Sequence, residues 1–459
     1  MRKRTVKILK IIAIILVVLS LIYAIAVGVS AAKLRRAYAD LKKDGRPMKQ
    51  ADVIPPEVPD SENAALLYES AALLLKAQPA PEGNLLVYLG GLSDMFIKET
   101  IDPDKLAELQ QLIEQDVVTQ ALSVVEQGTQ RRSCRFDHNY NAGINILLPN
   151  LPLLRRLTFI LSAKARLEAR AGNPDNAWNM ARIQLRLADA LLTEPIMISQ
   201  VVRYAMIRMS CRTIRELCEI APPNEQQFRS VEDLLAGLDE VAPMVRGIDG
   251  ERLLLGEWAF NLPKNELYKI NLNPNDERLE DMPGIIYRLL ILRATFKPLF
   301  LADRATYMRL MHKSAQLFQL FGDSYSHEQA NNELYKLSSD IEKIERNEKR
   351  HLLTSMLFPS IIRVKQIHRE MTAELRITRT GLALLQHKQS RDAFPDTLEA
   401  LKLSDIIDPY SAEPLRYKAQ GQDFIIYSIG PDRKDNGGSP RVKKQEKDWD
   451  IVWSYTGGR

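Results

Sequence analysis

The stretch "YSIGPDRKDNGGSP", residues 427–440, sets Asp432, Asp435 and Asn436 beside Gly437 and Gly438. Oxygen-bearing side chains this close together, next to glycines that let backbone carbonyls turn inward, suit a hard cation such as calcium, which takes roughly six to eight oxygens. The same residues suit an Asx-rich surface turn. An EF-hand is excluded. Counting from Asp432, Lys434 stands at the third position and Lys443 at the twelfth, where that loop needs oxygen donors.

Other chemistry finds less footing. The six histidines (His138, His312, His327, His351, His368 and His387) form no H-E-x-x-H, since "HEQAN" at His327 lacks the second ligand. "GLSDM" at Gly91 has Met95 where a nucleophile elbow requires glycine. No glycine-rich phosphate loop is present. "RRSCRFDHNY" brings Cys134, Asp137 and His138 together, but a catalytic Cys–His pair ordinarily joins distant segments, so this reads as a helix-end cluster. The runs "RLADALLTEP" and "EKIERNEKR" read as solvated helix faces. The expectation is a protein without catalysis; the alternative is a membrane-anchored hydrolase whose site residues meet only in three dimensions.

Charge is unevenly placed. Residues 1–46 carry a net +9, from eleven Lys or Arg against Asp40 and Asp44, and the remainder carries −4. Basicity confined to the N-terminus points to anionic lipid and away from nucleic acid. Between the basic clusters lies "IIAIILVVLSLIYAIAVGVSAA", Ile11 to Ala32, without a charge. At 1.5 Å per residue it spans ~33 Å, enough for a hydrocarbon core of ~30 Å. A cleaved signal peptide has an apolar region of only about 7–15 residues, so the segment reads as an anchor. The expected topology is a single pass through the inner membrane, with residues 1–10 as a cytoplasmic basic tail and the bulk of the chain outside the cytoplasm. Cys134, Cys211 and Cys218 read as free thiols, the latter two too far apart on one helix to bridge.

Pro47, Pro55, Pro56 and Pro59 mark residues 33–59 as a juxtamembrane linker. From Asp60 or Ser61, as N-cap, to about 358 the apolar positions recur with the helical period, in about ten helices with a division into two lobes near 222. Breaks fall at Pro79–Gly83, Asn139–Pro152, Gly172–Pro174, Pro222–Asn224, Pro263–Asn275 and Pro359. Residues 163–195 resemble one tetratricopeptide hairpin, with Ala163, Ala177 and Ala181 at the helix contact, but no second copy follows at the required period. From Ser360 to Gln386 the stripe Val364, Ile367, Met371, Leu375, Thr378, Leu382 and Leu385 predicts a helix against an apolar surface. "LRYKA" and "FIIYSI" then predict a hairpin, and "DIVWSY" a third strand. The fold class expected is mainly α: a transmembrane helix, an all-helical central region and a small C-terminal α+β domain over residues 360–459.

Four ordered elements of that last region carry a resemblance: Asp408-Pro409-Tyr410, Ser428-x-Gly430-x-Asp432, Gly437-Gly438 and Asp448-x-Asp450-Ile451. They resemble the C-terminal domain of the major pseudopilin of type II secretion systems, as it occurs at the end of membrane-anchored bacterial proteins. The resemblance covers under a quarter of the chain. It implies a calcium loop with Asp432, Asp448 and Asp450 as carboxylate ligands, Asp435 as a fourth candidate, and backbone carbonyls near Ser428 and Ile429. The chain departs from the pattern at Ser411–Pro414 and at Lys443, Lys444 and Lys447, and it lacks the prepilin cleavage signature. Together these readings describe a non-enzymatic envelope protein with a helical interaction domain, an unidentified protein partner and a calcium-stabilised C-terminal domain, associated with a secretion or envelope assembly.

Overall fold

The computed structural model describes residues 2–238, 241–263, 296–321, 336–344, 346, 351–358, 361–403, 406–441 and 448–457. The protein is mainly helical, with a long apolar N-terminal helix and a small C-terminal sheet. Helix α1 (Arg2–Lys43) is followed by α2 (Ala64–Lys76), α3 (Leu85–Ile97), α4 (Pro103–Ile113), α5 (Asp116–Thr129), α6 (Asn150–Arg170), α7 (Pro174–Leu187), α8 (Met197–Ile220) and α9 (Glu225–Ala236). Then come α10 (Ala242–Gly250), α11 (Glu257–Asn261), α12 (Lys297–Phe321), α13 (Leu352–Leu357) and α14 (Ile361–Arg391). Two antiparallel sheets complete the fold among the described residues: the short β1 (Pro79–Ala80) with β2 (Gly83–Asn84), and the three strands β3 (Arg416–Gln420), β4 (Asp423–Ser428) and β5 (Ile451–Tyr455), in that order.

α1 does not stop where its apolar run ends. It is long and apolar enough to cross a membrane, and its apolar surface is exposed through Ile25. Beyond that point every third or fourth residue is covered: Ser30, Leu34, Ala37, Tyr38 and Leu41 face α12. The two helices run parallel. Tyr23 meets Phe296 edge-on at 5.6 Å, the Tyr38 hydroxyl accepts from Arg304 Nε at 3.0 Å and donates to Glu257, and Asp44 lies 2.8 Å from His312 Nε2. The stretch read as a linker is therefore helix to Lys43. Past the helix end it is docked chain, with Arg46 buried on Asp249 and Val53 in a small core of its own with Leu253 and Leu254.

The α6–α7 hairpin forms as its pattern predicts, turning at Gly172 and burying Ala163, Ala177 and Ala181 completely. α7 stops at Leu187 and tightens into a 3-10 turn to Leu191. "RLADALLTEP" is the clearest departure from expectation: it is largely interior, with Glu194 2 % exposed and Asp189 paired at 3.3 Å with the fully buried Arg203. Leucines on both sides of the run draw Glu194 inward, while Asp189 stays exposed beside its buried partner. The first N-cap is Asn63 and not Asp60 or Ser61. Its side-chain oxygen accepts from the Ala65 and Arg135 amides while its Nδ2 donates to the Arg135 carbonyl, so a tertiary neighbour selects the helix start. The break read at Pro263–Asn275 lies, after Pro263, outside the described residues; so do Pro359 and "HEQAN".

α14 is the hinge between helices and sheet. Of its predicted stripe, six residues are buried and Ile367 is half-buried. One side lies on α8 and α9, tied by Arg208–Glu370 (2.9 Å), Arg379–Glu232 (3.0 Å) and Arg215–Glu374. The other side takes β4 and β5. Phe394, Phe424, Trp453 and Tyr455 fill that contact, with Phe424 stacked on Tyr455 at 5.2 Å. Buried residues from Ala37 to Tyr455 form one cluster, so the C-terminal unit shares the core of the helical body.

Gly381 makes this junction possible. A Cβ there would stand 2.0 Å from the Trp453 ring. Glycine inside a helix ordinarily costs about 1 kcal/mol against alanine. Here overpacking of about 1–3 kcal/mol outweighs that gain. Gly381→Ala is expected to lower the midpoint of chemical unfolding, whereas Gly91→Ala in α3, with nothing within 4 Å, raises it.

Candidate functional site

Two buried carboxylates organise the end of the chain, and each is 1 % exposed. Asp450, at the start of β5, accepts the amides of Gly438 (2.8 Å), Ser439 (3.2 Å) and Asn436 (3.4 Å). Its own amide donates to the Ser439 carbonyl at 2.8 Å. Burial raises its pKa, and the three amides oppose that rise. Gly438 can approach only because it lacks a side chain: at φ +82° a Cβ would meet Ile425 at 2.5 Å. Asp408 does the same work one loop away. It accepts from the Ser428 hydroxyl (2.7 Å) and from the amides of Ile429 (2.9 Å) and Tyr410 (2.9 Å), binding the Asp-Pro-Tyr turn to the end of β4.

Of the other acidic residues of the loop, Asp435 and Asp448 are exposed and Asp432 is half-buried. Asp435 accepts from the Gly437 amide at 2.9 Å and the Tyr427 hydroxyl at 3.0 Å, which hold its carboxyl below the usual range. Asp432 accepts from Asn436 Nδ2 (2.9 Å) and the Lys434 amide (3.2 Å). Asp448 lies exposed, 3.8 Å from Lys434 Nζ. The structure thus brings Asp435 and Asp450 to the same glycine turn, links Asp432 to that turn through Asn436, which donates to both Asp432 and Asp450, and leaves Asp448 exposed beside Lys434. Among the described residues no three His, Cys, Asp or Glu side chains gather into a metal-holding group. Calcium needs oxygens that converge, and the buried carboxylate here is already covered by N–H donors. Residues 442–447 of the loop lie outside the described residues, and among those described the carboxylates do not converge on a common point. The loop is closed by hydrogen bonds to Asp450.

A second polar cluster, absent from the sequence reading, joins the chain after α1 to the turn between α10 and α11. Asp249 lies between Arg46 (2.6 Å) and Arg252 (3.3 Å), all three buried, and Arg252 also donates to the Pro47 carbonyl. The turn Glu251–Gly256 is a π-helix, a form often found where function strains a helix. Burial pushes Glu251 up to about 7, opposed by one amide, that of Met197 at 3.3 Å. Gly250 sits where a Cβ would lie 1.6 Å from the Pro195 carbonyl, and Gly256 where one would lie 2.1 Å from the Tyr307 ring. Two glycines six apart flanking a leucine run, "GERLLLG", were the available signal of this close packing.

The Cys134 neighbourhood is structural in its wiring. His138 is buried 3.4 Å from Glu194, between Phe136 and Tyr140. Cys134 lines a cleft of 390 Å3, where burial pushes its thiol up and keeps it protonated. Three of the four arginines around that cleft hold backbone carbonyls: Arg131 those of Asp60 and Asn63, Arg135 that of Pro55, Arg186 that of Thr129. No family model, curated protein or solved structure matches this chain.

Proposed function

We propose that the protein is a single-pass membrane-anchored scaffold, whose helical body is held at a fixed height above the bilayer to engage a protein partner. The observation that carries this reading is the continuity of α1. One helix leaves the exposed apolar run and enters the buried seam with α12 without a break, so no flexible joint separates anchor from body. The uncharged run from Ile11 to Ala32 is ~33 Å at 1.5 Å per residue, enough for a hydrocarbon core of ~30 Å. The three-stranded sheet on α14, with its Asp408 and Asp450 turns, is compatible with a pseudopilin-like unit used as a building element. We place the anchor in the inner membrane with the body outside the cytoplasm, in a secretion or envelope assembly.

Membranes bearing the full-length chain are expected to retain it through high salt and alkaline carbonate, because apolar burial is insensitive to screening. An impermeant thiol reagent is expected to label Lys418→Cys, exposed on β3, in intact spheroplasts of a variant lacking the native cysteines. Release by salt, or a mature N-terminus near Ala32, defeats the anchor; protection of position 418 reverses the orientation.

A further inference from the structure

Between α1 and α12 runs a cleft of 790 Å3 with a strong excess of positive charge. Lys33, Arg36 and Lys43 line it from one face of α1, and Arg309 and Lys313 from α12, against Asp40 and Asp44. Its floor is made of small side chains, Ala37, Ala302 and Ala305, which leave room for a ligand. Both acids do not weigh equally, because Asp44 is already taken by His312 (2.8 Å) and Gln316 (2.7 Å). Lys313 is likewise engaged by Asp340 at 2.8 Å. Lys33, Arg36 and Arg309 are exposed, and no ion pair within 4 Å joins them to another described residue, although Arg309 lies near enough to feel the Asp340 carboxylate.

The position of the cleft selects its ligand. Lys33 directly follows the apolar run, so at 1.5 Å per residue Lys33 and Arg36 stand within about 2–6 Å of its end. Headgroups occupy a layer of roughly 5–8 Å beyond the hydrocarbon on each side. The Tyr23–Phe296 contact lies well inside the apolar run, and Phe296 is 46 % exposed, so the first turn of α12 reaches the lipid as well. Ala302, six residues further, brings the lower end of the cleft to the membrane surface.

We propose that this cleft binds the phosphate of an anionic phospholipid headgroup, held between Lys33 and Arg36 on one helix and Arg309 on the other. The assignment rests on the membrane-anchored reading. Arginine forks suit phosphate oxygens, and two helices that each contribute a cation would be locked together by the lipid. The ligand then stiffens the seam that sets the height of the body.

The test uses the full-length protein in a neutral detergent, melted with three additions: short-chain phosphatidylglycerol, phosphatidylcholine of the same chain length, and inorganic phosphate. Phosphatidylglycerol is expected to raise the melting transition by several degrees at saturation, because only the folded cleft binds it. Phosphatidylcholine and inorganic phosphate are expected to leave it within a degree. The double variant Arg36→Gln, Arg309→Gln should keep the unliganded transition, both side chains being exposed, and weaken the phosphatidylglycerol response at least tenfold. An equal response to both lipids, or an undiminished response in the variant, overturns the site. An equal response to inorganic phosphate makes it a free-anion site and overturns the lipid assignment. Binding is read in detergent, so a failed anchor shows in the membrane extraction and leaves this measurement intact.

Discussion

Replacing Asp249 with alanine is expected to destabilise the protein by about 3–5 kcal/mol, the cost of leaving buried charge without its partner. The carboxylate lies between the guanidinium groups of Arg46 and Arg252, at 2.6 and 3.3 Å, and the three side chains are no more than 7 % exposed. Without it two buried cations face each other in a low-dielectric site. The damage is directional, because Arg46 belongs to the chain leaving α1 whereas Asp249 and Arg252 belong to the helical body. The segment from Arg46 to Val53 should detach first and be cut by trypsin after Lys49. Removing all three charges at once, in the triple variant Arg46→Met, Asp249→Leu, Arg252→Met, should recover most of the loss, since apolar packing can replace a buried ion network. Denaturant unfolding in detergent measures both. If the Asp249→Ala midpoint stays at the wild-type value, the cluster does not anchor the segment.

The second large effect is expected at Asp450. Removing its carboxylate with Asp450→Ala strands the amides of Gly438, Ser439 and Asn436. Each buried group left without a partner costs roughly 1–3 kcal/mol, and water can reach those that lie toward the exposed side, so the net loss is about 2–4 kcal/mol. Asp450→Asn, which keeps an oxygen acceptor of the same shape, should recover about half of this. Asp448→Ala is expected to change stability by less than ~0.5 kcal/mol, as exposed substitutions do. Asp432→Ala, which removes a half-buried carboxylate with hydrogen bonds from Asn436 and Lys434, is expected to cost about 0.5–1.5 kcal/mol. Calcium and chelator should leave the wild-type transition in place, because the carboxylates stand apart and Asp450 is covered by N–H donors. A transition that calcium raises by several degrees, and that Asp432→Ala abolishes, would restore the four-carboxylate site.

Local pattern alone was enough for the secondary elements and for one boundary. An uncharged run of helical length dictates an exposed apolar helix, and the seven-residue stripe from Val364 to Leu385 dictates a helix with a buried face, because both are local periodicities. The hairpin at Gln420–Asp423 is legible for the same reason: a short turn between β-forming runs leaves few registers. What each charge does is a matter of tertiary packing. Asp408 and Asp450 look like any loop aspartate until the fold points amides at them, and Asp432 looks like their equal until the fold leaves it half-buried with one backbone amide. Glu194 reads as solvated until leucines on both sides draw it in against His138, and Asp189, still exposed, turns out to pair with the buried Arg203. Arg46 is indistinguishable from the basic residues before it, yet it alone is carried over to Asp249, some two hundred positions away. The physical reason is that burial and partnership are non-local: the desolvation that makes a charge matter, and the donor that compensates it, come from segments whose meeting no local pattern encodes.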